Sequence, residues 1–326
     1  MRIAILGAGA WGSALAISFS AAHDVRLWAR RPGACEALAR ERRSPYLPEV
    51  PLPEALRVEA DLGAALAGCE LAIVATSTAG LRGTAVAVNA IAPDANLLWA
   101  CKGFEQGTRL LPHEVVAQAL PGAAHAGALS GPSFALEVAR GQPTAVVLAS
   151  RDAAFASASA AALNGPRLRI YSSTDLAGVE LGGAVKNVIA IAAGIADGLD
   201  LGRNARAALV TRGLAEIVRL GVAMGGQAET FMGLTGLGDL VLTCTGDLSR
   251  NRDVGLRLAR GQGLADILRE LGHVAEGVQS AGSVRDLARA RGVEMPITDA
   301  VCGVLFEGHS PAAAVRQLLS RDPRPE

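Results

Sequence analysis

The chain has 326 residues, half of them apolar but only 3% aromatic, and a formal net charge of zero. That length allows two domains, each with a sizeable core that must be built from Ala, Val, Leu and Ile. The charge balance argues against a broad electrostatic footprint for nucleic acid or an anionic membrane, so neither is expected as a partner.

In chain order, the first half alternates. "RIAILGAG" predicts a buried strand and "AWGSALAISFSAA" a helix. "DVRLWAR" and "GACEALARERR" repeat the pair, followed by the proline-rich "SPYLPEVPLPEAL". Strands are then predicted at "RVEA", "ELAIVAT", "NLLWAC", "AHAGALS", "TAVVLAS" and "LRIYS", with helical segments between most of them. Such alternation means βαβ units and a mostly parallel, doubly wound sheet. Near Ser173 the pattern changes to helical periodicity alone. "STD" at 173–175 offers N-caps for a long helix, and Leu209, Leu214, Ile217, Val218 and Val222 mark the buried face of the next. The expected architecture is an α/β domain over 1–178 and an all-α domain over 179–326, with a frayed tail.

The five cysteines are scattered and form no C-x-x-C pair, so neither a disulfide framework nor a metal site is expected, and a reducing cytoplasm fits. The N-terminus enters a strand at once and leaves no room for a signal peptide. No apolar run reaches ~18 residues, because Glu180, Lys186 and Asn187 break the longest; no membrane insertion is expected. The sequence leaves the oligomeric state open, a homodimer included.

Three clusters carry chemistry. Gly7-x-Gly9-x-x-Gly12 follows the first strand and opens the first helix. Its glycines permit a tight turn, close approach to a pyrophosphate and close helix–strand packing, and the helix N-terminus offers free N–H groups to phosphate. The second strand ends at Arg30 and Arg31, where a strict NAD site would carry Asp or Glu. Paired guanidiniums suit a 2′-phosphate, so NADP(H) is the preferred cofactor, with NAD(H) not excluded; two solvated surface arginines are the alternative.

The second cluster is the lysines. Of 31 basic side chains 29 are arginine, and Lys102 and Lys186 alone are lysine. Arg stays charged, whereas Lys can exchange a proton, so lysines that survive in an arginine-rich chain are candidates for proton transfer. Lys102 follows a strand, at the sheet edge where ligands bind. Lys186 lies within the apolar "LGGAVKNVIAIAAGIADG", with Gly182 and Gly183 one turn back, where they are expected to leave a hollow beside the ammonium. A lysine snorkelling to the surface is the alternative.

The third is "GLTGLGDLVLTCTGDLSRNRDVG", whose glycines and Asp239 interrupt the helical pattern. Asp247 or Ser249 is placed to cap the following helix, which puts Arg250 and Asn251 in its first turn. A helix N-terminus bearing Arg suits a phosphate, or it is an ordinary capped surface helix. The Gly131-Pro132-Ser133 turn could line the same cleft.

Together, "GAGAWG", "LSGPSFA", "LGGAVKNVIAIAAGI", "GLGDLVLTCTGDLSRNR", "HVAEGVQSA" and "GVEMPIT" resemble, in that order and over nearly the whole chain, the bacterial-type NAD(P)-dependent glycerol-3-phosphate dehydrogenases. The resemblance implies a Rossmann-type N-terminal domain, a helical C-terminal domain and reversible reduction of dihydroxyacetone phosphate to sn-glycerol 3-phosphate for phospholipid synthesis. It implies Lys186 as catalytic acid/base, and Lys102 in contact with cofactor and substrate. Gly131, Ser133, Asp239, Ser249, Arg250 and Asn251 would surround the phosphorylated substrate, with Arg250 also reaching the cofactor. Gly7, Gly9, Ala10, Trp11, Gly12, Arg30, Arg31, Tyr46, Ala135, Val274 and Glu276 would form the dinucleotide site. Two positions depart from the family: Ala10 stands where Ser is usual, and Cys101 where Thr is usual. Dehydrogenases of 3-hydroxy acids or phosphogluconate, and ketopantoate reductases, share this plan and are the alternatives; "SRNR" favours a phosphate-bearing substrate without naming it.

Overall fold

A computed structural model describes residues 1–121, 125–271 and 275–320. The chain divides into two compact units, Met1–Leu176 and Ala177–Glu326.

In the first unit, short apolar runs form strands because they can be buried on both faces, as a parallel sheet between helices requires. The elements are β1 (Arg2–Leu6), α1 (Ala10–Phe19), β2 (Asp24–Trp28), α2 (Pro32–Glu41), β3 (Arg43–Ser44), β4 (Leu47–Pro51), β5 (Arg57–Glu59), α3 (Leu62–Leu66), β6 (Leu71–Val74) and α4 (Thr78–Ile91). There follow β7 (Asn96–Trp99), α5 (Pro112–Ala119), β8 (Ala126–Ser130), α6 (Ala135–Ala139), β9 (Thr144–Ala149), α7 (Ala153–Leu163) and β10 (Leu168–Ser173). Eight strands form one sheet in the order β10-β9-β8-β7-β6-β1-β2-β5. Ile3, Ile5, Ile73 and Leu98 are fully buried at its centre.

The strand order reverses at β1: β2 lies on one side of it and β6 on the other, both parallel to it. That reversal opens a crevice at the carboxyl ends of β1 and β6, where open α/β sheets bind ligands. β7 and β8 continue the parallel run, so their carboxyl ends reach the same edge. β9 then pairs with β8 antiparallel. The short α6 packs on α1 and does not serve as a crossover helix over the sheet, so β9 returns beside its neighbour. Two features lie outside the sequence-based expectation. The proline-rich stretch holds a two-stranded hairpin, β3 with β4, and a short α3 starts at Asp61, whose side chain accepts from Ala64 N. Prolines 48 and 51 are tolerated because the hairpin is all edge.

The second unit contains α8 (Leu176–Gly198), α9 (Gly202–Ala223), α10 (Ala228–Met232), a π-helical turn (Leu234–Gly238), α11 (Asp239–Thr245), α12 (Arg250–Ala259), α13 (Leu264–Leu271), α14 (Glu276–Ala290), α15 (Pro296–Phe306) and α16 (Pro311–Leu319). Its described residues form no strand. The glycine-rich stretch before Asp239 therefore bends the helical path through a π-turn; it does not break it, and Asp239 opens α11.

α8 is the axis of this unit, with every residue from 178 to 196 buried. By length and apolar composition it could cross a membrane, contrary to the expectation that Glu180, Lys186 and Asn187 would prevent this; its apolar window is wholly covered by protein. On α9 the apolar stripe is narrower than expected: Leu214 and Ile217 are buried, but Val222 is 49% exposed. From α9, the Glu216 carboxylate reaches the start of α15. There it accepts from Ile297 N (2.6 Å), Thr298 N (3.2 Å) and Thr298 Oγ1 (3.1 Å). It thus satisfies N–H groups that a helix N-terminus leaves open, and burial pushes its pKa up to about 7.

Candidate active site

In the first unit the glycine turn sits at the strand-order reversal. Gly7 has φ +124°, and a Cβ there would lie 2.8 Å from the Ala75 carbonyl oxygen, just past β6. A Cβ on Gly12 would lie 1.9 Å from the Gly7 carbonyl oxygen, so α1 can start this close to β1 only with glycine. Gly9 is different. A Cβ there would meet nothing within 4 Å, and no side chain caps the N-terminus of α1. That open side, with backbone N–H groups behind it, fits a pyrophosphate. Beside it runs a cleft of about 270 Å³ lined by Ala8, Gly9, Arg30, Arg31 and Tyr46 among others, which brings both arginines and the tyrosine to the glycine turn. Trp11 and Ala135 are likewise brought together, packed with Ala10 around Ala14 and Val138 where α1 meets α6. A larger hollow of about 470 Å³ lies at the opposite end of β7, around Asp94 and Asn96, and holds none of the expected site residues.

Lys102 follows β7 and Gly131 follows β8 on the same sheet edge. Lys102 Nζ donates to the Gly131 carbonyl (3.1 Å), and Ser133 Oγ donates to the same oxygen (3.0 Å). One carbonyl thus ties the second lysine to the Gly-Pro-Ser turn.

The second unit holds the other lysine. Lys186 is only 7% exposed. Its ammonium donates to Asp239 Oδ1 and to Thr243 Oγ1 (2.9 Å). Thr243 Oγ1 donates its own proton to the Asp239 carbonyl oxygen (2.6 Å), so toward Lys186 it can only accept. A buried cation costs several kcal/mol unless it is paired, and the 1% exposed Asp239 is that pair. The snorkelling alternative is excluded, since the head group is held inside.

The glycine hollow is not as expected. A Cβ on Gly182 would lie 2.3 Å from the Thr235 carbonyl oxygen, so the missing side chain admits the π-turn. The glycine serves the lysine indirectly, by letting the segment that delivers Asp239 lie against α8. Next to Lys186, Asn187 faces other helices. Its Nδ2 donates toward Glu276 Oε2 (3.4 Å), and its Oδ1 accepts from Asn251 Nδ2 (2.9 Å). Asn251 Oδ1 in turn accepts from Gly277 N (2.9 Å). Asn187 and Asn251 thus form a buried amide pair linking α8, α12 and α14, with the partly buried Glu276 carboxylate at its edge. Ser249 caps α12 by accepting from Arg252 N (3.3 Å), with Arg250 exposed in the first turn. Val274 lies outside the described residues.

Sequence reasoning passed over Thr243. The signal was present: it stands four residues after Asp239, hence on the same helical face. Cys244, next to it, is inert, because burial pushes its thiol up to about 12. Among the described residues no group of three or more His, Cys, Asp or Glu is placed to hold a metal ion.

Two family models match, for the N-terminus of the NAD-dependent glycerol-3-phosphate dehydrogenases over residues 2–156 and for their C-terminus over 175–316. The chain belongs to the NAD-dependent glycerol-3-phosphate dehydrogenase family. It is 59% identical to glycerol-3-phosphate dehydrogenase [NAD(P)+] of Paucimonas lemoignei, over all of this chain and 98% of that one. It is 58% identical, over the full length of both, to the protein of the same name from Aromatoleum aromaticum. A solved glycerol-3-phosphate dehydrogenase from Coxiella burnetii superimposes with a TM-score of 0.93 at 42% identity, covering 98% of this chain and 99% of that one. The chain is thus an oxidoreductase of the nicotinamide-dinucleotide class.

Proposed function

We propose that the protein catalyses reversible reduction of dihydroxyacetone phosphate to sn-glycerol 3-phosphate, a glycerophospholipid precursor, with Lys186 as the acid/base. The observation that carries this reading is the buried Lys186–Asp239–Thr243 cluster. Family membership and the names of relatives close to 60% identical support the substrate.

Residues 1–178 supply most of the dinucleotide site, and 179–326 the acid/base and most of the substrate site. The open side of Gly9 and the N-terminus of α1, from Ala10 to Gly12, hold the pyrophosphate, and Arg30, Arg31 and Tyr46 hold the adenosine end. Two guanidiniums at that place favour the 2′-phosphate of NADPH, while NADH remains usable. Trp11, Ala135, Val274 and Glu276 are assigned to the same cofactor, and Lys102 and Arg250 to both ligands. Gly131, Ser133, Ser249 and Asn251 complete the substrate site. A bound dihydronicotinamide supplies the hydride.

As the hydride reaches the ketone carbon, charge develops on the oxygen, and Lys186 donates a proton to it; in reverse Lys186 removes one from the alcohol. Asp239 compensates the ammonium and Thr243 holds it in place. Arg250 at the start of α12 binds the phosphate, and that remote binding energy orients the ketone. Five free thiols suit a reducing, cytoplasmic setting.

The test is oxidation of NADPH and of NADH at fixed enzyme with dihydroxyacetone phosphate. The expected result is turnover with both and a lower KM for NADPH. Reduction of a different ketone, with none of dihydroxyacetone phosphate, would contradict the substrate.

A further inference from the structure

Lys102 lies in the long connection between β7 and α5, and a loop of that length needs something to fix its shape. α4 supplies it at two points. Thr78 Oγ1 donates to the Lys102 carbonyl (3.2 Å). One turn further along the same face, Arg82 donates to Glu105 through Nε and Nη2, both at 2.8 Å. The two ties grip the ends of the segment 102–105, and between them Gly103 turns with φ +112°. Beyond Glu105 the loop closes on itself. Glu105 N donates to the Leu110 carbonyl (2.9 Å), Arg109 N donates to the Glu105 carbonyl (2.9 Å), and Thr108 Oγ1 donates to Glu105 Oε2 (2.6 Å). Arg82 Nη2 also reaches Gln118 Oε1 on α5 (3.1 Å). The Glu105 side chain is only 13% exposed, and the guanidinium beside it holds its carboxyl below the usual carboxylate range. A two-pronged pair of this kind fixes orientation as well as distance, which a single surface ion pair does not.

We infer that Arg82 and Glu105 are positioning residues for Lys102: their fork fixes the loop so that the lysine ammonium reaches the carboxyl edge of the sheet beside Gly131. The inference rests on the assignment of Lys102 to the substrate and cofactor site made above. It gives a function to the glutamate of "CKGFEQG" and to the arginine of "STAGLRG", neither of which is part of the acid/base cluster.

The test is a double-mutant cycle on the full-length enzyme, with kcat and KM measured separately for dihydroxyacetone phosphate and NADPH. The four forms are wild type, Glu105→Gln, Lys102→Met and the double variant. Glu105→Gln is expected to lower kcat/KM by about 10-fold or more, mainly through KM, as misplacement of a binding group does. In the Lys102→Met background the same change is expected to cost less than about twofold, because residues acting through one another are not additive. Equal losses in both backgrounds would overturn the inference, as would a Glu105→Gln enzyme with wild-type kcat/KM. Should Lys102→Met itself leave kcat/KM at the wild-type value, the assignment of Lys102 falls first and the inference with it. If Glu105→Gln does not fold, as judged by its melting curve, Arg82→Lys takes its place; it keeps the charge but lacks the fork.

Discussion

The two lysines of this chain sit in opposite kinds of surroundings. Lys102 is on a loop at a sheet edge, tied to the main-chain carbonyl of Gly131. Lys186 is inside a helical core, tied to side chains more than fifty residues away. In the first arrangement the ammonium meets main chain, a carbonyl at a glycine turn, and side chains act only at one remove by fixing the loop. The second is built from a buried charge pair that must be complete to be tolerated. Damage at the sheet edge should therefore be read mainly in binding, and damage at the helical core in stability and turnover together.

Several changes would break or sharpen that contrast. The largest effect is expected from Asp239→Asn, which strands a buried ammonium. It should cost about 3–5 kcal/mol of stability and most of the turnover, seen in a melting curve and in kcat. Lys102→Met should leave the melting temperature close to wild type while binding weakens; equal destabilisation by both would erase the contrast. Gly182→Ala comes next. Its Cβ would collide with the Thr235 carbonyl and push the π-turn, and Asp239 behind it, off α8. A loss of about 1–3 kcal/mol is expected, with reduced kcat and little change in dinucleotide affinity. Replacing Arg30 and Arg31 with Gln should raise the KM for NADPH by about 10-fold, as lost charge-assisted hydrogen bonds do, and leave that for NADH nearly unchanged. An equal rise for both cofactors would remove the 2′-phosphate assignment.

The last expected effect lies outside both sites and is seen only as a change with pH. Glu216 has its pKa raised from 4.5 to about 7 by burial. A carboxyl that binds its proton more tightly when folded contributes stability that is full below about pH 4.5. That contribution is lost as pH rises through about 7, on the order of 3 kcal/mol at most. The melting temperature should fall between pH 5.5 and 8.5, and Glu216→Gln should flatten that slope. An unchanged slope would mean that the carboxylate is ionised throughout.

Legibility followed the same division. The close approaches at Gly7 and Gly12 are readable because they lie within one strand–turn–helix, and Arg30 and Arg31 follow directly on the next strand. The mostly parallel sheet and the all-helical second half were readable from periodicity. The purpose of Gly182 is not, because its neighbour Thr235 is close only after folding; Thr243 is readable only in part, as the residue one turn after Asp239, because its other partner, Lys186, lies on a different helix. The hairpin in "SPYLPEVPLPEAL" was hidden by its prolines, which read as loop. Val222 looked like core because it keeps helical spacing, yet that face of α9 has run out of neighbours by its last turn.

The central claim is that Lys186 moves the proton. The direct measurement is Lys186→Arg, followed by turnover with dihydroxyacetone phosphate and, separately, by NADPH binding. Arginine keeps the charge and is a very poor acid, so kcat should fall ~10²–10⁴-fold while NADPH binds with unchanged affinity. Turnover near the wild-type value would contradict the account.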